Sequence, residues 1–145
     1  MKETTLNRMF LNRIEEGKDS VRYLYPSNGK WEPMTYREVG VAVREMANGL
    51  MGMGFARGDK VAILSTTRVE WCLADIAVIL GGFTTVPIYP SNLPDQVEYI
   101  LAHSGARAVF VENEMQWNKI ASVRKNLPAW SAANLFTGNP AEQEG

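Results

Sequence analysis

The stretch Val61-Ala62-Ile63-Leu64, followed by Val69 to Leu80, Gly81-Gly82 and Thr84 to Tyr89, decides the fold. A short β-branched run, a longer apolar helical pattern, a glycine stop and a second apolar run are the signature of a βαβ unit. The alternation continues. Pro94 opens a helix with Asn92 as its expected cap and Val97, Ile100 and Leu101 inward, and Gly105 suits the left-handed position that ends it. Ala108 to Val111 reads as a third strand. Asn113-Glu114-Met115-Gln116 has the form of a capping box, predicting a helix with Ile120, Val123 and Leu127 on one side. Asn134-Leu135-Phe136 starts an expected fourth strand. Strands this short and apolar are covered on both faces, and each connection exceeds the dozen or so residues a parallel crossover needs. The predicted class is α/β, a mostly parallel wound sheet with helices on both faces.

Upstream, a helix and a β-hairpin precede this unit. Leu6, Phe10 and Ile14 share one helical face, with Gly17 as the expected end. Val21 to Tyr25 alternates as a strand, and Ser27-Asn28-Gly29-Lys30 supplies a turn that favours positive φ before the return strand at Trp31. Thr35-Tyr36-Arg37-Glu38 matches a capping box for a helix with Val39, Val43, Met46, Ala47 and Leu50 on its stripe. Gly52, Gly54 and Gly58 then turn the chain. The expected organisation is residues 1–34 as helix and hairpin, 35–137 as the α/β subdomain, and 138–145 as a flexible tail.

Composition removes several function classes. The 145 residues are 46% hydrophobic and 21% charged, with 15 basic and 16 acidic side chains, so neither disorder nor a nucleic-acid footprint is indicated. The single cysteine, Cys72, excludes an internal disulfide and a cysteine metal cluster, and its apolar helical setting reads as a small buried hydrophobe. The N-terminus lacks the apolar core of a signal peptide, which makes a reducing cytoplasm the expected location. From Ile76 to Pro94 no residue is charged, but Gly81, Gly82, Pro87, Pro90 and Asn92 divide that stretch too often for a membrane span.

Chemistry is sparse. Ser65-Thr66-Thr67-Arg68 follows the first parallel strand and opens a helix, where hydroxyls, a helix N-terminus and a cation could hold a phosphate. An ordinary N-cap with a solvated arginine is the preferred reading. Gly49-Leu50-Met51-Gly52-Met53-Gly54 ends a helix rather than opening one, and no dinucleotide or P-loop glycine fingerprint occurs. Asp75, alone among Cys72, Leu73, Ala74, Ile76 and Ala77, must be hydrogen-bonded or face a cleft; a satisfied structural carboxylate is preferred over an acid–base group. His103, the only histidine, sits near a helix C-terminus and reads as a surface residue. The spacings of Trp31, Trp71, Trp117 and Trp130 suggest packing.

The order of motifs resembles the N-terminal part of the AMP-forming acyl-CoA synthetases. It is carried by Trp31 with Thr35-Tyr36, Gly58-Asp59-Lys60 running into Val61 to Leu64, and Glu70-Trp71 with Asp75. Val86-Pro87-Ile88-Tyr89-Pro90, Val97 to Leu101, Ser104-Gly105-Ala106 and Gln116 with Lys119-Ile120 continue it over about residues 20–130. The Glu-Trp and Val-Pro-Ile-Tyr-Pro segments are most similar to the long-chain fatty acid branch. The resemblance implies a ligase that forms an acyl-adenylate from a fatty acid with ATP and Mg²⁺, releases pyrophosphate, and transfers the acyl group to coenzyme A as AMP leaves. It also implies a full-length enzyme in the cytoplasm or peripherally at a membrane.

The family's phosphate loop, its Tyr-Gly-x-Thr-Glu segment, its hinge aspartate and its catalytic lysine are absent, because they belong downstream of the matched region. No catalytic, cofactor-binding or metal-ligating residue is therefore assigned to this chain. The expectation is an N-terminal fragment, inactive alone and without a cofactor of its own. Two alternatives stand beside it. One is a stand-alone module binding a small anion through Ser65 to Arg68 and Tyr89 to Pro94. The other is an assembly piece exposing Met51, Met53 and Phe55 as an apolar patch.

Overall fold

The computed structural model describes residues 5–127 and 132–136. Four strands, β3 (Lys60–Leu64), β4 (Thr84–Ile88), β5 (Ala108–Val111) and β6 (Ala132–Leu135), form one sheet in the order β4-β3-β5-β6. Every pair is parallel, and Leu64 lies level with Ile88 on one side and Val111 on the other. β3 therefore takes a central place, and Val61 through Leu64 are fully buried, as its unbroken apolar run requires.

Alternation along β3 divides the core. Ala62 and Leu64 meet Val97 and Leu101 of α4 (Pro94–Ser104) and Ile120 of α5 (Glu114–Val123) on one face. On the other, Val61 and Ile63 meet Ala74 and Val78 of α3 (Val69–Leu80), with Leu50 of α2 (Tyr36–Gly52) and Phe83. A further layer packs Ile14 of α1 (Leu6–Gly17) against Val39, Val43 and Leu73. Helices cover both faces of a parallel sheet, as predicted. The antiparallel hairpin β1 (Val21–Ser27) and β2 (Lys30–Thr35) turns through Asn28 at φ 49° and Gly29 at φ 75°. The Thr35 hydroxyl accepts from Glu38 N at 3.3 Å while the Glu38 carboxylate accepts from Thr35 N at 2.7 Å, completing the capping box.

Several local expectations are corrected. Gly17 ends α1, but its need for glycine is space: a Cβ there would lie 2.4 Å from the Tyr36 ring, and the positive φ falls on Lys18. β4 stops at Ile88, leaving Tyr89 77% exposed in a loop, because Pro90 has no N–H with which to continue the ladder. Leu93, not Asn92, is the N-cap of α4, and the Gln96 side chain accepts from its N–H at 2.9 Å. Leu127 still packs on the α4/α5 core, but from beyond a 3₁₀ turn at Arg124–Asn126 rather than from α5. Strand β6 runs over Ala132–Leu135, and Phe136 follows it with its ring stacked on Phe110. Phe55 is buried against Phe83, so the expected methionine patch loses its aromatic member; Met51 and Met53 are exposed. Trp31 is exposed rather than packed, whereas Trp71 and Trp117 lie against the core. Trp130 and the expected tail 138–145 lie outside the described residues.

Candidate functional site

Parallel sheets offer their ligand sites beyond the carboxyl ends of the strands. Three loops meet there: Ser65 to Arg68 after β3, Tyr89 to Leu93 after β4, and Glu112-Asn113 after β5. The hairpin β1–β2 reaches the same rim. A cavity of about 460 Å³ lies between Leu24, Pro26 and Trp31 of the hairpin and Arg68, Glu70 and Glu112 of the loops. A second, of about 440 Å³, is lined by Ser65, Thr67, Trp71, Pro87, Tyr89 and Pro90. Thr66 and Thr67 border both.

The polar groups at this rim engage one another. The Glu112 carboxylate accepts from Thr66 N at 2.9 Å and from the Thr66 hydroxyl at 2.9 Å, filling with a protein carboxylate the place where an anion would meet the loop. The expected ordinary cap does not form, since Arg68 itself is the N-cap of α3 with no side-chain cap hydrogen bond, and Arg68 is not simply solvated. It donates to both oxygens of Glu70, at 2.6 and 2.7 Å, and one of its nitrogens lies 3.8 Å from Glu112. This fork-to-fork pairing lowers the Glu70 carboxyl below the usual carboxylate range, since the guanidinium bonds favour its charged form. Ser65 is buried and donates to the Thr66 carbonyl. A loop so satisfied holds its own shape and presents no unmatched positive charge.

The remaining candidates sit apart from it. The Thr85 hydroxyl donates to Asp75 at 2.7 Å, tying α3 to β4 and supplying the partner that a carboxylate in this helix requires. Cys72 is half-buried; burial raises its thiol pKa, and the neighbouring Tyr23 hydroxyl partly offsets this. A thiol shifted upward in this way is a poor nucleophile at neutral pH. His103 is exposed with its ring stacked on Tyr99 at 5.4 Å. Among the described residues no group of three or more His, Cys, Asp or Glu could hold a metal ion, and no helix is long and apolar enough to cross a membrane.

Sequence reasoning missed Glu112 as the partner of Thr66, because the two are 46 positions apart. It also missed the tether on the β4–α4 loop. Lys119 Nζ of α5 donates to the carbonyls of Pro90 at 2.6 Å and Asn92 at 2.9 Å. Gln116 Nε2 reaches Pro90 O at 3.4 Å, while Gln116 Oε1 is buried without a hydrogen-bond partner among the described residues. Only half of the expected capping box forms at α5: Asn113 Oδ1 accepts from Gln116 N at 3.1 Å, and the Gln116 side chain turns to Pro90 instead.

A family model described as AMP-binding enzyme matches residues 10–144. The long-chain-fatty-acid–CoA ligase FadD15 of Mycobacterium bovis is 33% identical over 121 residues, covering 83% of this chain and 20% of that protein. The long-chain-fatty-acid–CoA ligase ACSBG1 of Homo sapiens is 26% identical over 136 residues, covering 94% of this chain and 19% of its own length. Among solved structures, the anthranilate CoA ligase AuaEII in complex with anthranoyl-AMP superposes with a TM-score of 0.82 at 25% identity, covering 92% of this chain and 25% of that one. A Mycobacterium tuberculosis fatty acyl CoA synthetase gives 0.81 at 25% identity, with 94% and 27% covered. The chain thus spans about a fifth of the length of the curated relatives it matches.

Proposed function

The chain belongs to the AMP-binding enzyme family, and from that premise we propose that it is the N-terminal part of an AMP-forming long-chain fatty acid–CoA ligase. The observation that carries this reading is the 33% identity over 121 residues to a long-chain-fatty-acid–CoA ligase. In that reaction ATP and a fatty acid give an acyl-adenylate and pyrophosphate, and the thiol of coenzyme A then displaces AMP. Adenylation converts a poor electrophile, the carboxylate, into a mixed anhydride, and fixed positive charge stabilises the phosphate oxygens as it forms.

Among the described residues that line the two strand-end cavities, the one cation does not supply that charge. Arg68 is neutralised by Glu70 and Glu112, and the Thr66 donors are taken by Glu112. Mg²⁺ would accompany ATP in the longer enzyme; among the described residues no group of three or more His, Cys, Asp or Glu is gathered for a metal ion, and no step is routed through them. The role left to the chain is scaffolding: β3, β4 and β5 carry three loops that wall the strand-end cavities. Alone it is inactive, and its location as part of the ligase is the cytoplasm. A stand-alone anion-binding module is disfavoured by the carboxylate already seated in the Ser65–Arg68 loop.

The coding sequence after Gly145 tests the reading. A Ser/Thr/Gly-rich phosphate loop ending in Pro-Lys-Gly is expected downstream, and an intact reading frame continuing into an unrelated domain would contradict it.

A further inference from the structure

We infer that Lys119 is a positioning residue for the strand-end cavity, holding the Tyr89–Leu93 loop in place from the neighbouring helix. The loop's own hydrogen bonds leave carbonyls to be met from outside it. Pro90 and Pro94 have no N–H, so two of the donors that would close turns here are missing. Two of the loop's carbonyls are met by backbone: Tyr89 O accepts from Asn92 N at 3.1 Å, and Leu93 O from Val97 N at 3.0 Å. Those of Pro90 and Asn92 have Lys119 Nζ as their short-range donor, at 2.6 and 2.9 Å.

The tether has features that a chance surface contact lacks. Lys119 is half-buried and, among the described residues, forms no salt bridge, so its charge is spent on two backbone carbonyls. Gln116, one turn earlier and 6% exposed, turns its amide nitrogen to the same Pro90 carbonyl. It does so although its own oxygen is left buried without a partner among the described residues. Reversing that amide would set two oxygens against each other at Pro90, so the orientation follows from the Pro90 carbonyl. Tyr89 and Pro90 form one wall of the cavity of about 440 Å³. Lys119 thereby shapes a cavity it does not line. These hydrogen bonds are independent of the ligase reading and stand or fall separately from it.

Amide hydrogen exchange on the 145-residue chain tests the inference, with Lys119→Met and Lys119→Arg beside the parent. In Lys119→Met the amides of Asn92 and Leu93 should exchange ~10-fold faster or more, the size expected for losing hydrogen bonds from a charged donor. The β3 amides should not change. Lys119→Arg, which keeps donors for two carbonyls, should recover part of the protection. The parent should also show a protected ammonium signal for Lys119 in ¹⁵N spectra, and that signal decides the matter if Lys119→Met does not fold. Unchanged exchange at Asn92 and Leu93, equal acceleration in β3, an arginine variant no better than methionine, or no ammonium signal would each overturn it.

Discussion

The two ends of the parallel sheet are closed in different ways. At the amino end, Arg107 pairs with Asp59 and lies 4.7 Å over the Phe55 ring, which in turn meets Phe83 edge-on at 5.9 Å. Backbone bonds from Gly58 N to Gly82 O and Thr84 N to Asp59 O draw the flanking turns together. Charge, ring and backbone there converge on one plug, in which the two phenylalanines are buried. At the carboxyl end the polar groups link loop to loop, Glu112 to Thr66 and Lys119 to Pro90, and stop short of filling the space between. Both strand-end cavities lie on this side, and large apolar groups lining them, Leu24, Trp31 and Tyr89, are exposed. One end is finished by its own packing; the other is a hydrogen-bonded frame with room left in it.

Breaking the plug should cost most. Phe83→Ala removes a side chain 6% exposed at the amino end and should lower unfolding stability by about 3–5 kcal/mol. Tyr89→Ala, at the open end and 77% exposed, should stay within ~0.5 kcal/mol. Urea titrations of the two variants give the contrast directly, and equal losses would erase it.

Acid should loosen both ends together. Asp59 is held below the usual carboxylate range chiefly by the Ala56 N–H, with Arg107 adding to it, and Glu70 by Arg68. A carboxyl whose pKa is lower folded than unfolded binds fewer protons in the native state. Its stabilisation is complete above the ordinary carboxylate pKa, about 4, and is lost as pH falls through the folded value. Glu38 and Asp19 act in the same sense. Unfolding midpoints should therefore be flat near neutrality and fall on the acid side of ~pH 4. A midpoint that rises on acidification would remove these carboxylates from the ledger.

Glu112→Gln sharpens the comparison on the carboxyl side. It replaces one charged acceptor of the Thr66 donors by an amide nitrogen and should cost about 1–3 kcal/mol, less than the phenylalanine at the other end. Thermal unfolding measures it. Gln116→Met is a smaller change than Glu112→Gln and has no fixed sign. It exchanges a buried acceptor without a partner and a 3.4 Å hydrogen bond for an apolar chain of similar length, and should fall within ~1 kcal/mol of the parent in either direction. A larger loss would mean that the amide does more for Pro90 than its length implies.

What the sequence made legible follows the range of the interactions. Asn28-Gly29 announced the hairpin because its two left-handed residues are adjacent, and Thr35 with Glu38 announced α2 because both halves of the capping box lie within one turn. The period of Val61 to Leu64 and of the helices between strands was enough to place a buried parallel sheet. Gln116 satisfied the same local pattern and was misread, since a carbonyl 26 positions away competes for its side chain. Glu112 and Thr66 lie 46 positions apart and Lys119 and Pro90 lie 29, so neither pair has a local signature. The scaffold is local and periodic, whereas the rim of the site is built from contacts with no sequence neighbourhood.

Fatty acid-dependent exchange of labelled pyrophosphate into ATP, measured on the 145-residue chain with Mg²⁺, tests most directly whether it is scaffold without catalytic groups. No exchange above an enzyme-free control is predicted. Robust exchange would show that adenylation chemistry resides in these residues and would contradict the scaffold reading.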